Sequence, residues 1–185
     1  MSFHFSHGDR FYRCNLTCNR CTGITKTGGQ CKKITCKYLP LCFIHLKQKG
    51  FQVKQSTIPN TGDGLFTLIA RAKHEVIGEY IGEVLTDQQT QDRYGDVTAP
   101  FAVQGKKNHN IDPACKRGYT AYVNSAYHTL NKINNCEFVA SHRGGTRVSI
   151  RTTRAIQAGA ELFVAYGASY WGGLDGTYVT KKRKL

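Results

Sequence analysis

The sequence lacks the features that mark several large classes of protein. Its 185 residues contain no apolar run of the roughly 20 residues that a transmembrane helix needs, so we expect no membrane partner. Residues 1–13 are polar and histidine-bearing where a secretory signal has an apolar centre, so we expect a protein that is not secreted. Long helical periodicity is also missing after residue 51, which argues against a helical bundle.

Acidic residues are scarce, and the scarcity is concentrated at the two ends. The chain has 26 Lys and Arg against 12 Asp and Glu, a net charge of +14. Residues 1–50 carry nine basic residues and one acid, residues 51–172 carry thirteen and ten, and residues 173–185 carry four and one. We therefore expect a basic N-terminal module, a main domain and a basic tail with these bounds. The basic module suits contact with DNA, RNA or a nucleosome, and solvated ends that only aid solubility are the alternative.

Cysteine is rare after residue 42, where only Cys115 and Cys136 occur, whereas six cysteines precede that point. Such clustering without a secretory signal favours metal ligands over disulfides, although disulfides remain an alternative. Three thiolates and one imidazole close all four positions of a tetrahedral structural zinc site. The predicted zinc ligands are Cys21, Cys31, Cys42 and His45.

The zinc segment resembles small zinc-binding modules of viral and microbial proteins, in the pattern made by Cys21, Thr25, Lys26, Gly28, Cys31, Cys42 and His45. Three cysteines remain unassigned, namely Cys14, Cys18 and Cys36. They are compatible with a second site completed by His4 or His7, or with alternate ligation of the first. The spacing of Cys14, Cys18 and Cys21 also matches an iron–sulfur signature, but no repeated strand–helix pattern follows it.

The main domain reads as short strands separated by glycine-rich turns. The predicted strands cover residues 51–54, 65–70, 76–80, 101–104, 137–141, 148–152 and 162–165. One short helix is predicted at 87–94, with loops at 105–110 and 129–134. Many short strands with little helix predict a mainly β fold of several small sheets beside the zinc-stapled module.

Tyr166 lies where an active-site wall is expected. It follows the apolar run 162–165, and Gly167 lets the backbone turn so that Tyr166 and Trp171 face one cavity. Packing of these rings in a core is the alternative. Three upstream segments accompany this one: a glycine turn at residues 62–66, the segment 79–83, and the asparagine-containing segments 121–125 and 134–137.

In this order and spacing, the four segments resemble the SET-domain protein lysine methyltransferases over residues 51–171. The resemblance implies a SET-type fold and transfer of a methyl group from S-adenosyl-L-methionine to lysine in a basic protein, expected to be a histone tail. It implies that Tyr166 is the catalytic tyrosine, which orients the reacting groups. The implied cofactor-binding residues are Asp63, Gly64, Leu65, Asn124, Ser125, Tyr166 and Trp171, with Tyr170 beside Trp171.

The chain departs from the family pattern at three points. The histidine that usually follows the motif asparagine is absent, since Ser125 follows Asn124. The place of a second active-site tyrosine is taken by Ala99 or Pro100. No cysteine-rich tail follows, so Tyr170, Trp171 and Tyr178 or a partner chain must complete the substrate channel, and a homodimer is compatible with this. A zinc-dependent nucleic-acid or chromatin-binding protein with an inactive SET-like domain is the alternative function.

Two further expectations concern location and substrate. The basic ending at residues 179–185 is typical of a nuclear localisation signal, with a solvated tail as the alternative, so we expect a nuclear protein, in the host nucleus if the chain is viral. The compact chain with its zinc segment favours a viral or unicellular origin. For the carboxylates of Glu79 and Glu83 we expect one of two roles, either to guide a basic peptide substrate or to cap loop amides.

Overall fold

The computed structural model describes the backbone of residues 3–7 and 10–14, and backbone and side chains over eight further stretches. These stretches are residues 19–35, 39–95, 99–105, 108–127, 129, 131–140, 146–167 and 170, so that the tail at 173–185, Trp171, Tyr178, Cys18 and Cys36 lie outside them. Within these stretches, no helix has the length and apolar character needed to cross a bilayer.

Short strands dominate the described chain. The strands are β1 (Phe3–His7), β2 (Arg10–Cys14), β3 (Phe51–Gln55), β4 (Asp63–Thr67), β5 (Val76–Glu79), β6 (Glu83–Thr86), β7 (Val103–Gln104), β8 (His109–Asp112), β9 (Cys136–Ala140) and β10 (Val148–Thr152). The helices are α1 (Phe43–Gln48), α2 (Asp87–Tyr94) and a 3₁₀-helix (Tyr119–Tyr122).

The strands form small antiparallel sheets. Strands β1 and β2 pair with each other, as do β3 and β4, while β5–β10–β9 and β6–β8–β7 form three-stranded sheets. This arrangement confirms the predicted mainly β fold with little helix. Because no sheet is wide, each needs neighbouring segments to bury its apolar face.

Residues 161–164 join three parts of the main domain. Glu161 bridges Phe66 of β4, Phe163 bridges Asn124, and Val164 bridges Cys136 at the start of β9. The sequence predicted a continuous strand at 162–165, and this is wrong in detail, because isolated bridges to three different segments replace one ladder. Residues 162–164 of the apolar run are nevertheless buried, and Leu162 and Val164 have no exposed surface, whereas Ala165 is exposed.

One buried cluster extends from the zinc segment into the main domain. It includes Cys42 before α1, Leu46 within α1, Phe51 of β3, and the fully buried Ile150 and Leu162. A segment of this size buries little apolar surface by itself. The N-terminal segment therefore packs as a continuation of the main core.

Several predicted elements are confirmed at their bounds. Helix 87–94 begins after Thr86, whose hydroxyl accepts from the N–H of Gln89, while the Gln89 side chain accepts from the Thr86 N–H. Strand β10 covers the predicted residues 148–152. Strands β1 and β2 were not predicted, and in the main domain two further strands were missed, β6 and β8, of which β8 overlaps the end of the predicted loop 105–110. Both are short and rich in polar residues, which weakens the alternating pattern.

Candidate active site and metal centre

The four predicted zinc ligands lie together. The Sγ atoms of Cys21, Cys31 and Cys42 and a ring nitrogen of His45 all lie within 4.8 Å of one another. The Nδ1 atom of His45 is 3.4 Å from Cys21 Sγ and 3.3 Å from Cys42 Sγ. The three cysteines are buried, as expected for a closed structural site.

Hydrogen bonds around this cluster fix the orientation of its ligands. His45 Nε2 is 3.0 Å from the carbonyl of Ile24, so Nε2 carries the proton and Nδ1 faces the thiols. The backbone N–H groups of Gly23 and Cys42 donate to Cys21 Sγ. A side chain at position 23 would collide with the His45 ring, which explains the glycine there.

One thiol of the cluster, that of Cys42, is favoured in the ionised form that zinc requires. Burial alone would raise the pKa of the Cys42 thiol. Hydrogen bonds from the backbone and ring of His45 and from Cys21 outweigh that effect and lower the pKa to about 6. A thiol with that pKa is largely thiolate at neutral pH. Four soft or borderline donors of this kind fit zinc.

Glu161 is a buried carboxylate at the centre of the predicted cofactor region. It is 5 % exposed and accepts hydrogen bonds from the hydroxyls of Ser56 and Thr57 and from the Thr57 N–H, at 2.6–2.7 Å. Asn124 Nδ2 lies 3.4 Å from the same carboxylate and donates at 3.1 Å to the carbonyl of Asp63. These bonds tie the loop before β4, the start of β4 and the asparagine segment into one unit.

Tyr166 is attached to that unit through the residue before Asn124. Its hydroxyl donates to the carbonyl of Val123 at 3.0 Å, and the N–H of Val164 donates to the carbonyl of Asn124 at 2.9 Å. The motifs around Asp63, Asn124 and Tyr166, which are far apart in sequence, therefore meet in space.

A cavity of about 560 Å³ opens beside Tyr166. The described residues that line it are Tyr80, Thr90, Ala99, Pro100, Phe101, Ala102, Val103, Gln104, Asn110, Phe138, Tyr166 and Tyr170, none of which carries a charged side chain. Its volume lies in the range of ligand pockets, about 300 to 1,000 Å³.

Three tyrosines line this cavity in fixed positions. The Tyr166 and Tyr170 rings meet edge to face with centroids 4.9 Å apart. Tyr80 packs edge to face against Phe138, and its hydroxyl donates to the carbonyl of Phe101 at 2.8 Å. Burial raises the pKa of Tyr80 and of Tyr166 above the ordinary tyrosine value, so both hydroxyls stay protonated and neutral near pH 7.

The predicted cofactor residues differ in what their side chains can reach. Leu65 is fully buried in the core, so only its backbone can meet a ligand. Ser125 is 6 % exposed, and its hydroxyl accepts from the N–H of Tyr127. The Nδ2 group of Asn124 is committed to Asp63 and Glu161, and its backbone carbonyl accepts from the N–H of Val164, so these contacts fix the asparagine segment in place. Trp171 lies outside the described residues.

Sequence reasoning missed three residues of this region. Tyr80 stood in the second motif but was not singled out, although an aromatic residue after a glycine–glutamate pair in a strand was a usable signal. Phe138 and Glu161 gave no signal, because their partners lie far away in sequence. Glu79 and Glu83 form ion pairs with Arg147 and Arg93, which favours the structural role among their two predicted roles.

The segments around Asp63, Asn124 and Tyr166, which meet in space, also match the model of a known protein family. The model of the SET domain family matches residues 62–167, more than half of the chain. The match includes the start of β4, the asparagine segment, Glu161 and Tyr166. The chain belongs to the SET domain family, whose members are generally protein lysine methyltransferases.

Proposed function

We propose that the protein is an S-adenosylmethionine-dependent protein lysine N-methyltransferase. The observation that carries the proposal is the uncharged, tyrosine-lined cavity at Tyr166, directly beside the bonded unit of Asp63, Asn124 and Glu161. A SET domain with this arrangement has a place for an amine and a neighbouring place for a cofactor.

The residues present fit the cofactor. Gly62 has a φ of 75° and Gly167 a φ of 90°, and a Cβ atom at either would meet nothing within 4 Å. Open backbone at both glycines gives a ligand close access to the main chain. Asp63, Gly64, Leu65, Asn124 and Ser125 would hold the cofactor mainly through backbone groups, with Tyr166 and Trp171 beside it.

When bound, S-adenosylmethionine supplies a methyl group on a positively charged sulfur. The lysine that receives it must be neutral, and at pH 7 that costs roughly 4.6 kcal/mol for a free lysine with pKa 10.4. A cavity lined by no charged side chain lowers this cost, because it cannot solvate an ammonium ion as water does.

The tyrosine hydroxyls orient the amine. Tyr166 and Tyr80 each donate their proton to a backbone carbonyl, which leaves oxygen lone pairs available to an incoming N–H group. Rigid rings with fixed hydroxyls hold the amine in line with the methyl group. No carboxylate occurs among the described residues that line the cavity, so we assign Tyr166 a positioning and electrostatic role.

We further propose that the substrate is a lysine in a basic protein segment, with a histone tail as the first candidate. The near balance of charge over residues 51–172 does not repel such a segment, whereas the strongly basic residues 1–50 would. Residues 1–50 then serve as a zinc-stapled module that contacts DNA or RNA, beside the methyltransferase domain 51–172. The basic tail 173–185 directs the protein to the nucleus.

The decisive experiment combines cofactor binding with methyl transfer. We expect calorimetry to detect binding of S-adenosylmethionine, and histones to accept labelled methyl groups. Replacement of Tyr166 by Phe should lower kcat by about 10²- to 10³-fold with little change in cofactor affinity.

Tyr119→Phe is the matched control. Tyr119 also donates its hydroxyl to a backbone carbonyl, that of Ile77 at 2.9 Å, but it does not line the cavity. It should therefore keep the methyl-transfer rate. Absence of cofactor binding by the folded parent chain would reject the enzyme and leave the inactive, zinc-dependent binding protein.

A further inference from the structure

A second cavity lies away from the tyrosines, between the metal centre and β3. It has a volume of about 490 Å³ and extends from residues 33–34 across α1 to Gln52 and Val53. We call it the α1 groove. Strand β3 lies at the edge of its two-stranded sheet. The proposed methyl transfer uses no residue of this groove.

The α1 groove has a buried apolar floor and exposed apolar walls. Leu39 and Leu46 form the floor and are 6 % and 2 % exposed. Phe43 and Ile34 stand in the walls and are 65 % and 60 % exposed. Walls this open would not enclose the 70 to 90 % of a small ligand's surface that a typical pocket buries, so they suit a segment of a larger molecule.

The charge around the groove has one sign. Lys33 and Lys47 line it, and Lys33 Nζ lies 5.8 Å from the centre of the Phe43 ring. No acidic residue occurs anywhere in the sequence from residue 10 to residue 62. A partner that meets both the apolar walls and this uncompensated positive charge must carry large apolar side chains together with carboxylates.

Other occupants match these features less well. Nucleic acid needs a row of cations for its phosphates, whereas the described residues of the groove offer two lysines, Lys33 and Lys47, above an aliphatic floor. The two ends of the chain are basic, and the groove is also positively charged, so the groove repels them. A second copy of the chain would bring the same positive charge to the interface.

We propose that the α1 groove binds a short acidic and apolar segment of another protein. Phe43, Ile34 and Leu39 receive its apolar side chains, and Lys33 and Lys47 pair with its carboxylates. The metal centre shapes this site, because Cys42 lies in the groove wall and α1 begins directly after it.

Selection from a phage library of short random peptides on the full-length, zinc-loaded chain tests the proposal. We expect the enriched peptides to combine Asp or Glu with Leu, Phe or Trp. Synthetic labelled copies should bind the parent chain in fluorescence anisotropy, and Phe43→Ser and the double variant Lys33→Glu/Lys47→Glu should each weaken binding roughly tenfold or more.

Two exposed positions outside the groove provide matched controls. Ile133→Ser removes a residue that is 68 % exposed, and Lys73→Glu reverses a charge on the exposed turn before β5. Both should leave peptide affinity unchanged. Zinc content and thermal midpoint, measured on every variant, separate loss of the groove residue from loss of the fold.

Several outcomes would overturn the proposal. They are enrichment of no peptide, enrichment of peptides without acids, or equal affinity of Phe43→Ser and parent. Tighter peptide binding after removal of residues 173–185 would identify the tail as the occupant. A dimer that Phe43→Ser dissociates would identify a second copy, and an oligothymidylate probe lost on Phe43→Ser would identify nucleic acid.

Discussion

The metal centre and the tyrosine cavity are built in opposite ways. The four candidate metal ligands lie between residues 21 and 45, and their donor atoms form one compact group. The cavity takes residues from position 80 to position 170, and no single contact dominates it. Zinc bound at the first region would organise it by a few strong bonds between residues close in sequence, whereas the second region is held by many weaker contacts between distant segments. Their responses to substitution should differ accordingly.

The largest effect should follow loss of a metal ligand. A structural zinc contributes on the order of 10 kcal/mol to the folding of a small module. Cys42→Ser should therefore abolish zinc binding and unfold the turn that leads into α1. Elemental analysis of the purified chain and circular dichroism during heating would measure both effects.

Cys136→Ser is the matched control for that prediction. Cys136 is also a buried free cysteine, but it lies at the start of β9 and outside the metal cluster. The Cys136→Ser variant should lose some stability but keep its zinc. Retention of a full complement of zinc by Cys42→Ser would show that the cluster does not hold the metal as described.

The next largest effect should follow replacement of Glu161. Its carboxylate contacts Ser56, Thr57 and Asn124, which belong to distant segments of the predicted cofactor region. Glu161→Gln places an amide where the buried carboxylate accepts from Ser56 and Thr57, so at least one of these partly buried hydrogen bonds is lost. We expect a loss of about 2 to 4 kcal/mol in the free energy of unfolding and weaker cofactor binding. Urea denaturation and calorimetry would measure these changes.

Glu137→Gln provides the exposed counterpart. Glu137 pairs with Arg151 at 2.8 Å, and both side chains are more than a third exposed. Solvent screens such a pair, so the loss should stay within about 0.2 to 1 kcal/mol. Equal losses for the two glutamates would mean that Glu161 does not join the segments as its contacts indicate.

The same contrast explains what the sequence could predict. The metal ligands were predictable because their residue types and short spacing carry the information. Helix α2 was predictable from the capping pattern of Thr86 and Gln89, and β10 from apolar side chains at Val148 and Ile150. These features are local.

The features that the sequence did not predict depend on distant partners. Ser56 and Glu161 are 105 residues apart, and no periodicity marks them as neighbours. The run 162–165 has the composition of a strand, yet its backbone bridges three segments in turn. Tyr80 meets Phe138 only because the sheet β5–β10–β9 brings them together.

A smaller, graded effect should appear with pH, and it should separate the two regions. Acid protonates the thiols and releases zinc. At high pH, an unfolded tyrosine ionises near pH 10, whereas burial holds the pKa of Tyr80 and Tyr166 above that value. The folded chain then retains more protons than the unfolded chain, so stability falls as pH rises, by about 1.4 kcal/mol per pH unit for each tyrosine.

Thermal midpoints measured from pH 8 upward would detect this loss of stability. In Tyr166→Phe, the decrease of stability with pH should be less steep, because one of the two tyrosines no longer contributes to it. Absorbance titration of the folded chain supplies an independent check, because Tyr80 and Tyr166 should ionise later than tyrosines in the unfolded chain. Ionisation of every tyrosine near pH 10 without unfolding would contradict the burial of these two rings.

The smallest effect should come from Arg147→Ala, which breaks an ion pair with Glu79, the residue before Tyr80. Arg147 is 74 % exposed, so the pair contributes little, and both the thermal midpoint and the methyl-transfer rate should match those of the parent. Arg93→Ala should behave differently, because it leaves the fully buried Asp112 without its cation. If Arg147→Ala slowed methyl transfer while stability held, a surface pair would be positioning Tyr80. The cavity would then depend on an exposed contact as well as on the buried contacts described here.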